Sequence, residues 1–359
     1  MGRHIGAHSQ EASSNIDKAM TSAMLNISVV IRTYTEARWD YLVAAMKSLE
    51  NQSVQPSEII VVVDHNPDLL AKVLAYFPDA VVVENHEARG SPGAWNSGIA
   101  AAKHEVIAFT DDDAVAAPDW LERLRASYDD PNVVAVGGAI EPVWLGNRPR
   151  WFPEEFEWVV GCTYRGLPQT AAPVRNLIGC NMSFRRQVFE AIGRFREGMG
   201  RVGGDDHVLA GFNAFGVANH YFHGCDETEL CIRLRQHWPH KVLLHEPRAK
   251  VYHKVPPNRA RWNYYRSRCY LEGTSKALLV QLLGAADGLA SERAQAFRIL
   301  PQGIARGVGD TIVRHDPAGL ARAGAIIAGL TFTTVGYLVG AIAARLADGL
   351  RGESNPTKV

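Results

Sequence analysis

Glu105-Val106-Ile107-Ala108-Phe109-Thr110-Asp111-Asp112-Asp113 is the stretch that decides the fold. The first six residues have the β-branched and aromatic character of a buried strand, and three carboxylates follow without a spacer. Packing does not account for them. Adjacent anions repel one another unless a cation neutralises them, and a hard divalent ion, Mg2+ or Mn2+, bridging carboxylates and phosphates would do so. The plain alternative is a solvated acidic turn that caps the next helix, with Asp119 near its start.

Working outward, the same pattern repeats. Ile27 to Thr33, Glu58 to Val63 and Ala80 to Glu84 read as strands before the acidic one, and Val133 to Ile140 as a strand after it. Helical stretches begin near Ala37, Pro67, Pro92 and Pro118, since proline is tolerated in a helix's first turn. Such alternation is the α/β class, a mixed and mainly parallel sheet flanked by helices. Ligands collect where the strands of such sheets end. Those ends are Thr33 to Glu36, Asp64 to Asn66, Glu84 to His86 and the acidic run. Asp64 and Asp111 to Asp113 thus share one face of the sheet, which favours a ligand site over a solvated turn.

Composition narrows the class. Of 359 residues, 47% are hydrophobic and 21% charged, the profile of a packed globule. The 38 basic and 38 acidic residues cancel, so no overall field draws the chain to nucleic acid. Five cysteines without paired spacing read as reduced thiols in a cytoplasmic protein. Residues 1–25 lack a secretory pattern and read as a flexible leader. From Arg259 the pattern is helical, and Ala323 to Ala344 has no charged residue, long enough for a membrane span or for a buried or dimer-forming helix.

Several ordered motifs between Ile27 and Gly273 resemble the family 2 glycosyltransferases, nucleotide-diphospho-sugar transferases with the GT-A fold. The resemblance implies a catalytic domain over 26–258, a helical extension over 259–350 and a tail over 351–359. It implies an inverting transfer from a nucleotide-sugar, UDP-sugar by default, to a hydroxyl of a glycan or lipid-linked acceptor at the inner face of the cell membrane. Thr33, Glu36, Asp64, Asn96, Asp111 and Asp112 would then contact the donor, and Asp113, Asp111 and His253 the metal. Asn181, Ser183 and Trp151 would line the acceptor pocket, while Arg261 and Arg268 would offset the diphosphate. Cys225-Asp226-Glu227 resembles the family's Glu-Asp base motif with the acids exchanged, which makes Glu227 the expected base and Asp226 the second candidate. Trp95 stands where relatives often carry arginine.

Two other readings attach to the same residues. Asp111-x-Asp113 also resembles the nucleophile motif of haloacid-dehalogenase-type phosphohydrolases, and the exchanged acids with Trp95 would suit a non-catalytic nucleotide-sugar binding protein. A further set, His220, His223 and Cys225, could hold a soft metal.

Overall fold

The computed structural model describes residues 25–199, 224–284 and 295–353, without the side chains of 347–353. Nearly all of the expected leader, the tail beyond 353, and Asp205, Asp206, His220 and His223 lie outside the described residues.

The chain opens with β1 (Ile27–Thr33), a short 3-10 turn (Glu36–Arg38), α1 (Trp39–Glu50), β2 (Glu58–Val63), α2 (Pro67–Tyr76), β3 (Val81–Glu84), α3 (Ser91–Ala101) and β4 (Val106–Asp111). The side chain of Asn66 caps α2 by accepting from the Leu69 N–H at 3.1 Å, and Pro67 sits in the first turn. β1 pairs in parallel with β2 and β4, and β2 with β3. Alternate residues serve opposite faces of the sheet. Val30, Ile60 and Val62 pack with Ala94, Trp95 and Ile99 of α3, whereas Ile31, Val61 and Val63 pack with Leu42 and Met46 of α1 and Leu69 and Val73 of α2.

Beyond β4 the sheet becomes mixed. β5 (Ala114–Ala116), α4 (Trp120–Ser127), β6 (Val133–Trp144), a 3-10 segment (Glu154–Val160), β7 (Ala172–Pro173), β8 (Asn181–Arg185), α5 (Arg186–Ile192), α6 (Asp226–His237) and β9 (Val242–Val255) follow. The strand order is β3-β2-β1-β4-β8-β6-β9-β5, with β7 also on β9. β8 runs antiparallel to β4 and β6, and β5 antiparallel to β9, with β6 and β9 still parallel to each other.

Three long helices close the structure: α7 (Trp262–Leu283), α8 (Leu300–Val313) and α9 (Ala318–Glu353). They pack on the aromatic 3-10 segment, where Tyr265 sits 5.5 Å from Phe156 and donates a 2.8 Å hydrogen bond to the Ala325 carbonyl.

Candidate active site

Parallel register sets Arg32 of β1 beside Asp111 of β4. Their Nε and Oδ1 atoms are 2.8 Å apart, and the guanidinium lies 4.6 Å over the Trp95 ring. Trp95 therefore backs a basic group supplied by the neighbouring strand. Asp112 is buried, with one oxygen accepting from the Thr33 hydroxyl at 2.8 Å and the other from Arg38 Nη1 at 3.0 Å. Asp113, also buried, meets the same Arg38 nitrogen at 3.0 Å and His253 Nε2 at 3.3 Å. The pairing of Ala114 with His253 across β5 and β9 delivers that imidazole.

The cation demanded by the acidic run is thus supplied first by Arg32 and Arg38, neither of them foreseen as a site residue. Burial pushes Asp112 up to about 6, with the like charge of Asp113 adding to it and Arg38 opposing. Burial would raise Asp113 too, but His253 and Arg38 outweigh it and hold that carboxyl well below its usual range.

Asp113 Oδ1 is buried and within ion-pair reach of His253, yet in hydrogen-bond alignment with none of the described residues. An ionised carboxylate oxygen and an imidazole nitrogen at that separation suit one shared Mg2+ or Mn2+ ion. Among the described residues no group of three or more His, Cys, Asp or Glu converges on a metal position. Asp113 and His253 would supply two ligands of such an ion, the rest coming from elsewhere.

A cavity of about 260 Å³ is lined by Asp111 and His253 and also by Asp226 and Glu227 of α6. α6 starts abruptly after Cys225, which has a left-handed φ of 69°, and its first turn holds three acids that favour the helix N-terminus. Glu229 is fully buried and gripped by Arg233 at 2.8 Å and Arg196 at 3.2 Å, so it anchors the turn. Asp226 and Glu227 face the cavity instead. Burial, then the charge of Asp226 and a hydrogen bond with it, push Glu227 well above the usual carboxylate range.

α7 adds a polar stripe at helical spacing, Arg268, Glu272 and Lys276, to the same wall. Lys276 Nζ lies 3.2 Å from Glu272 Oε1, and Cys225 Sγ donates to that oxygen at 3.4 Å. Arg175 and Arg259 line the cavity as well, and Phe156, Trp158, Leu300 and Leu330 supply its apolar part. Glu272, Lys276, Arg175 and Arg259 went unforeseen; the i, i+4, i+8 charge spacing within a long helix was the available signal for the first two.

Several expectations need correction. Asn181 is fully buried; its amide donates to the Ala139 and Ala249 carbonyls at 2.8 and 2.9 Å and accepts from Trp120 Nε1 at 2.8 Å. Ser183, equally buried, is bonded to Tyr128 Oη at 2.8 Å and to the Val136 carbonyl at 3.0 Å. Neither lines the cavity; the residue of β8 that reaches it is Met182, on the opposite face. Asn96 brackets the backbone of Phe195 with two 3.0 Å hydrogen bonds and does not line the cavity.

Trp151 joins an aromatic cluster with Phe152, Trp262 and Tyr265, and Trp158 lines the cavity in its place. Arg261 is the exposed residue preceding α7, whereas Arg268, two turns on, faces the cavity. Glu36 is exposed and paired with Lys72 at 3.2 Å. Asp64 organises the glycine-rich entry to α3: it accepts from Asn85 Nδ2 at 2.6 Å and from the Gly90 N–H at 3.0 Å, outside the residues that line the cavity.

Known proteins share this arrangement. The profile described as glycosyl transferase family 2 matches residues 28–193. The glucosyl-dolichyl phosphate glucuronosyltransferase of Haloferax volcanii is 34% identical over 71% of this chain and 77% of its own length. The succinoglycan biosynthesis protein ExoM of Rhizobium meliloti is 26% identical over 49% of this chain and 48% of its own. Among solved structures, a mannosyltransferase from Pyrobaculum calidifontis, determined with GDP-Man and Mn2+, superposes with a TM-score of 0.51 at 20% identity over 90% of this chain and 87% of its own. That likeness supports the GT-A fold. The phosphohydrolase reading is set aside, because Asp111 to Asp113 close the fourth strand within the residues 28–193 that match the transferase profile. The extent of the Haloferax match, together with the strand-end acids and the cavity they border, makes this chain a glycosyltransferase of family 2.

Proposed function

We propose that the enzyme transfers a sugar, with inversion, from a nucleoside diphosphate sugar, a UDP-sugar in the first instance, to a hydroxyl of a lipid-linked acceptor at the cytoplasmic face of the membrane. One observation carries the reading: a single cavity is lined both by Asp111 and His253 and by the paired carboxyls Asp226 and Glu227. Inversion needs an anion that takes the acceptor hydroxyl's proton as its oxygen attacks the anomeric carbon. Asp226 and Glu227 together supply it. Glu227 is the proposed base once it has lost its proton, with Asp226 beside it; burial, then the charge of Asp226 and a hydrogen bond with it, hold Glu227 well above the usual carboxylate range.

On the donor side, Arg32 orients Asp111 toward the cavity, and Thr33 and Arg38 lock Asp112 behind it. Asp113 and His253 would hold a divalent ion, which when bound neutralises the departing diphosphate. Arg259 and Arg175 add positive charge to the same space. A phosphate-bearing, lipid-linked acceptor such as the glucosyl-dolichyl phosphate in the Haloferax relative's name suits the remaining wall, where Arg268 and Lys276 lie beside Leu300 and Leu330.

The test is a panel of nucleotide-sugars with Mn2+ or Mg2+, scored for hydrolysis and for transfer to membrane-lipid extracts. Turnover that Asp113→Ala abolishes supports the reading. No turnover of any donor, with Asp113→Ala without effect on donor binding, would leave a non-catalytic binding protein.

A further inference from the structure

The helix Ala318–Leu346 is long and apolar enough to cross a membrane, with a mean hydropathy of 1.8. Its packing is incompatible with crossing. A Cβ added to Gly336 of α9 would lie 2.0 Å from the Tyr270 carbonyl oxygen of α7, and one added to Gly273 of α7 would lie 2.0 Å from the Thr333 carbonyl oxygen of α9. The two helices therefore meet backbone to backbone. α7 in turn presents Arg268, Glu272 and Lys276 to the catalytic cavity. Carrying α9 across a bilayer would draw those charges toward its centre, at a cost of about 2.5–3.5 kcal/mol for each such residue even on the lowest scales.

The other side of α9 is open and apolar. Ile327, Leu338, Ile342 and Leu346 are 54%, 54%, 59% and 65% exposed, and Ile312 and Val313 extend the face onto α8 at 68% and 76%. Residues 295–346 carry five arginines and two aspartates, a net charge of 5 − 2 = +3. Asp310 is engaged by Arg322 and Arg314 and Asp316 by Arg322 and Arg150, while Arg298, Arg314 and Arg345 are exposed. A rim of cations with no exposed acid among the described residues of this segment complements an anionic lipid surface. A second copy placed by two-fold symmetry would set the same cations against one another. The face is also continuous with the cavity, because Leu330 is 38% exposed and lines it.

We propose that α8 and α9 lie in the plane of an anionic membrane, apolar side down, without crossing it, so that Leu330 marks the point where a lipid-borne acceptor passes from bilayer to cavity. The acceptor clause rests on the function proposed above; the docking clause does not. The full chain should float with vesicles of phosphatidylcholine and phosphatidylglycerol about 10-fold or more better than with phosphatidylcholine alone. Alkaline carbonate should strip it from membranes, and the double variant Leu338→Glu, Ile342→Glu should abolish flotation while nucleotide diphosphate binding, followed by calorimetry, stays intact. Retention after carbonate overturns the proposal in favour of a span. Absence of flotation with anionic vesicles also overturns it, and light scattering then tells whether a second copy covers the face. Failure of transfer alone, with flotation normal, counts against the proposed function and leaves the docking standing.

Discussion

Asn181 shows how a polar residue in a site motif can belong to the fold. One amide satisfies two carbonyls, from β6 and β9, and the indole N–H of Trp120, at 2.8–2.9 Å and with no exposure. Asn181→Ala should cost about 3–5 kcal/mol, because it strands three buried polar groups at once. A fall in the urea midpoint with acceptor KM unchanged in the folded fraction is the expected result; a raised KM at unchanged stability would return Asn181 to the acceptor pocket. Glu227 shows the opposite relation. Glu227→Gln should leave donor affinity near normal and reduce transfer by about 100-fold or more. In the wild type, kcat/KM should rise with pH as Glu227 loses its proton, at a pH above the usual carboxylate range, and the variant should lose that limb. The stability effect has a defined sign. A carboxyl raised from 4.5 in the folded state opposes folding above that value, so Glu227→Gln should raise Tm near neutral pH, with the gain vanishing below about pH 4. Titrating Tm against pH for both proteins checks it.

At the scale of elements, the first half of the sheet could be read because its physics is local. Short Val/Ile runs, turn residues and proline-led helices placed β1 and β2 at their observed bounds, and β3, β4 and the starts of the helices between strands within about two residues. The second half depends on long-range pairing. β5 has three residues and β7 two, too few for any periodicity to register, and the antiparallel course of β8 between β4 and β6 follows from connections that carry no hydrophobic signature. The site divides similarly. Acids at strand ends were legible from position, and the α6 entrance from its resemblance to the family's base motif. Arg38, from a 3-10 turn, and the α7 stripe were not, because only tertiary packing brings them to the cavity. The apolar positions around Arg32 concealed a different clue: it is the one charged residue of β1, and parallel register aims it at Asp111. The α7 stripe permits its own test. Lys276→Met should raise KM for a phosphate-bearing lipid acceptor about 10-fold or more, the worth of a charge-assisted contact, and leave a neutral alkyl glycoside acceptor unaffected. Equal losses for both acceptors would make Lys276 a structural partner of Glu272 only.

For the whole molecule, α9 is part of the catalytic body as well as the side proposed to meet lipid. Leu330 and Thr333 line the cavity, Gly329 lies against Phe156 and Tyr265, and Ile326 is 1% exposed in the main core. The acceptor wall is therefore built on the same helix that carries the exposed apolar face, and displacing the helix must disturb the wall before it reaches the donor site on β1 and β4. Gly336→Val makes the distinction. Its added carbon would meet the Tyr270 carbonyl at 2.0 Å, a backbone atom that cannot swing aside, so α7 and α9 must part. The overpacking cost is about 1–3 kcal/mol, enough to shift the helix without unfolding the sheet. Nucleotide diphosphate affinity should stay within about twofold, because Asp111, Asp113 and His253 rest on strands remote from that contact, whereas transfer should fall about 10-fold through misplacement of the acceptor wall. Calorimetry with the nucleotide, beside single-turnover transfer, reads the two halves separately. Unchanged transfer would show that α9 serves only to hold the enzyme at its surface, and a parallel loss of nucleotide binding would show that the donor site also depends on the helix.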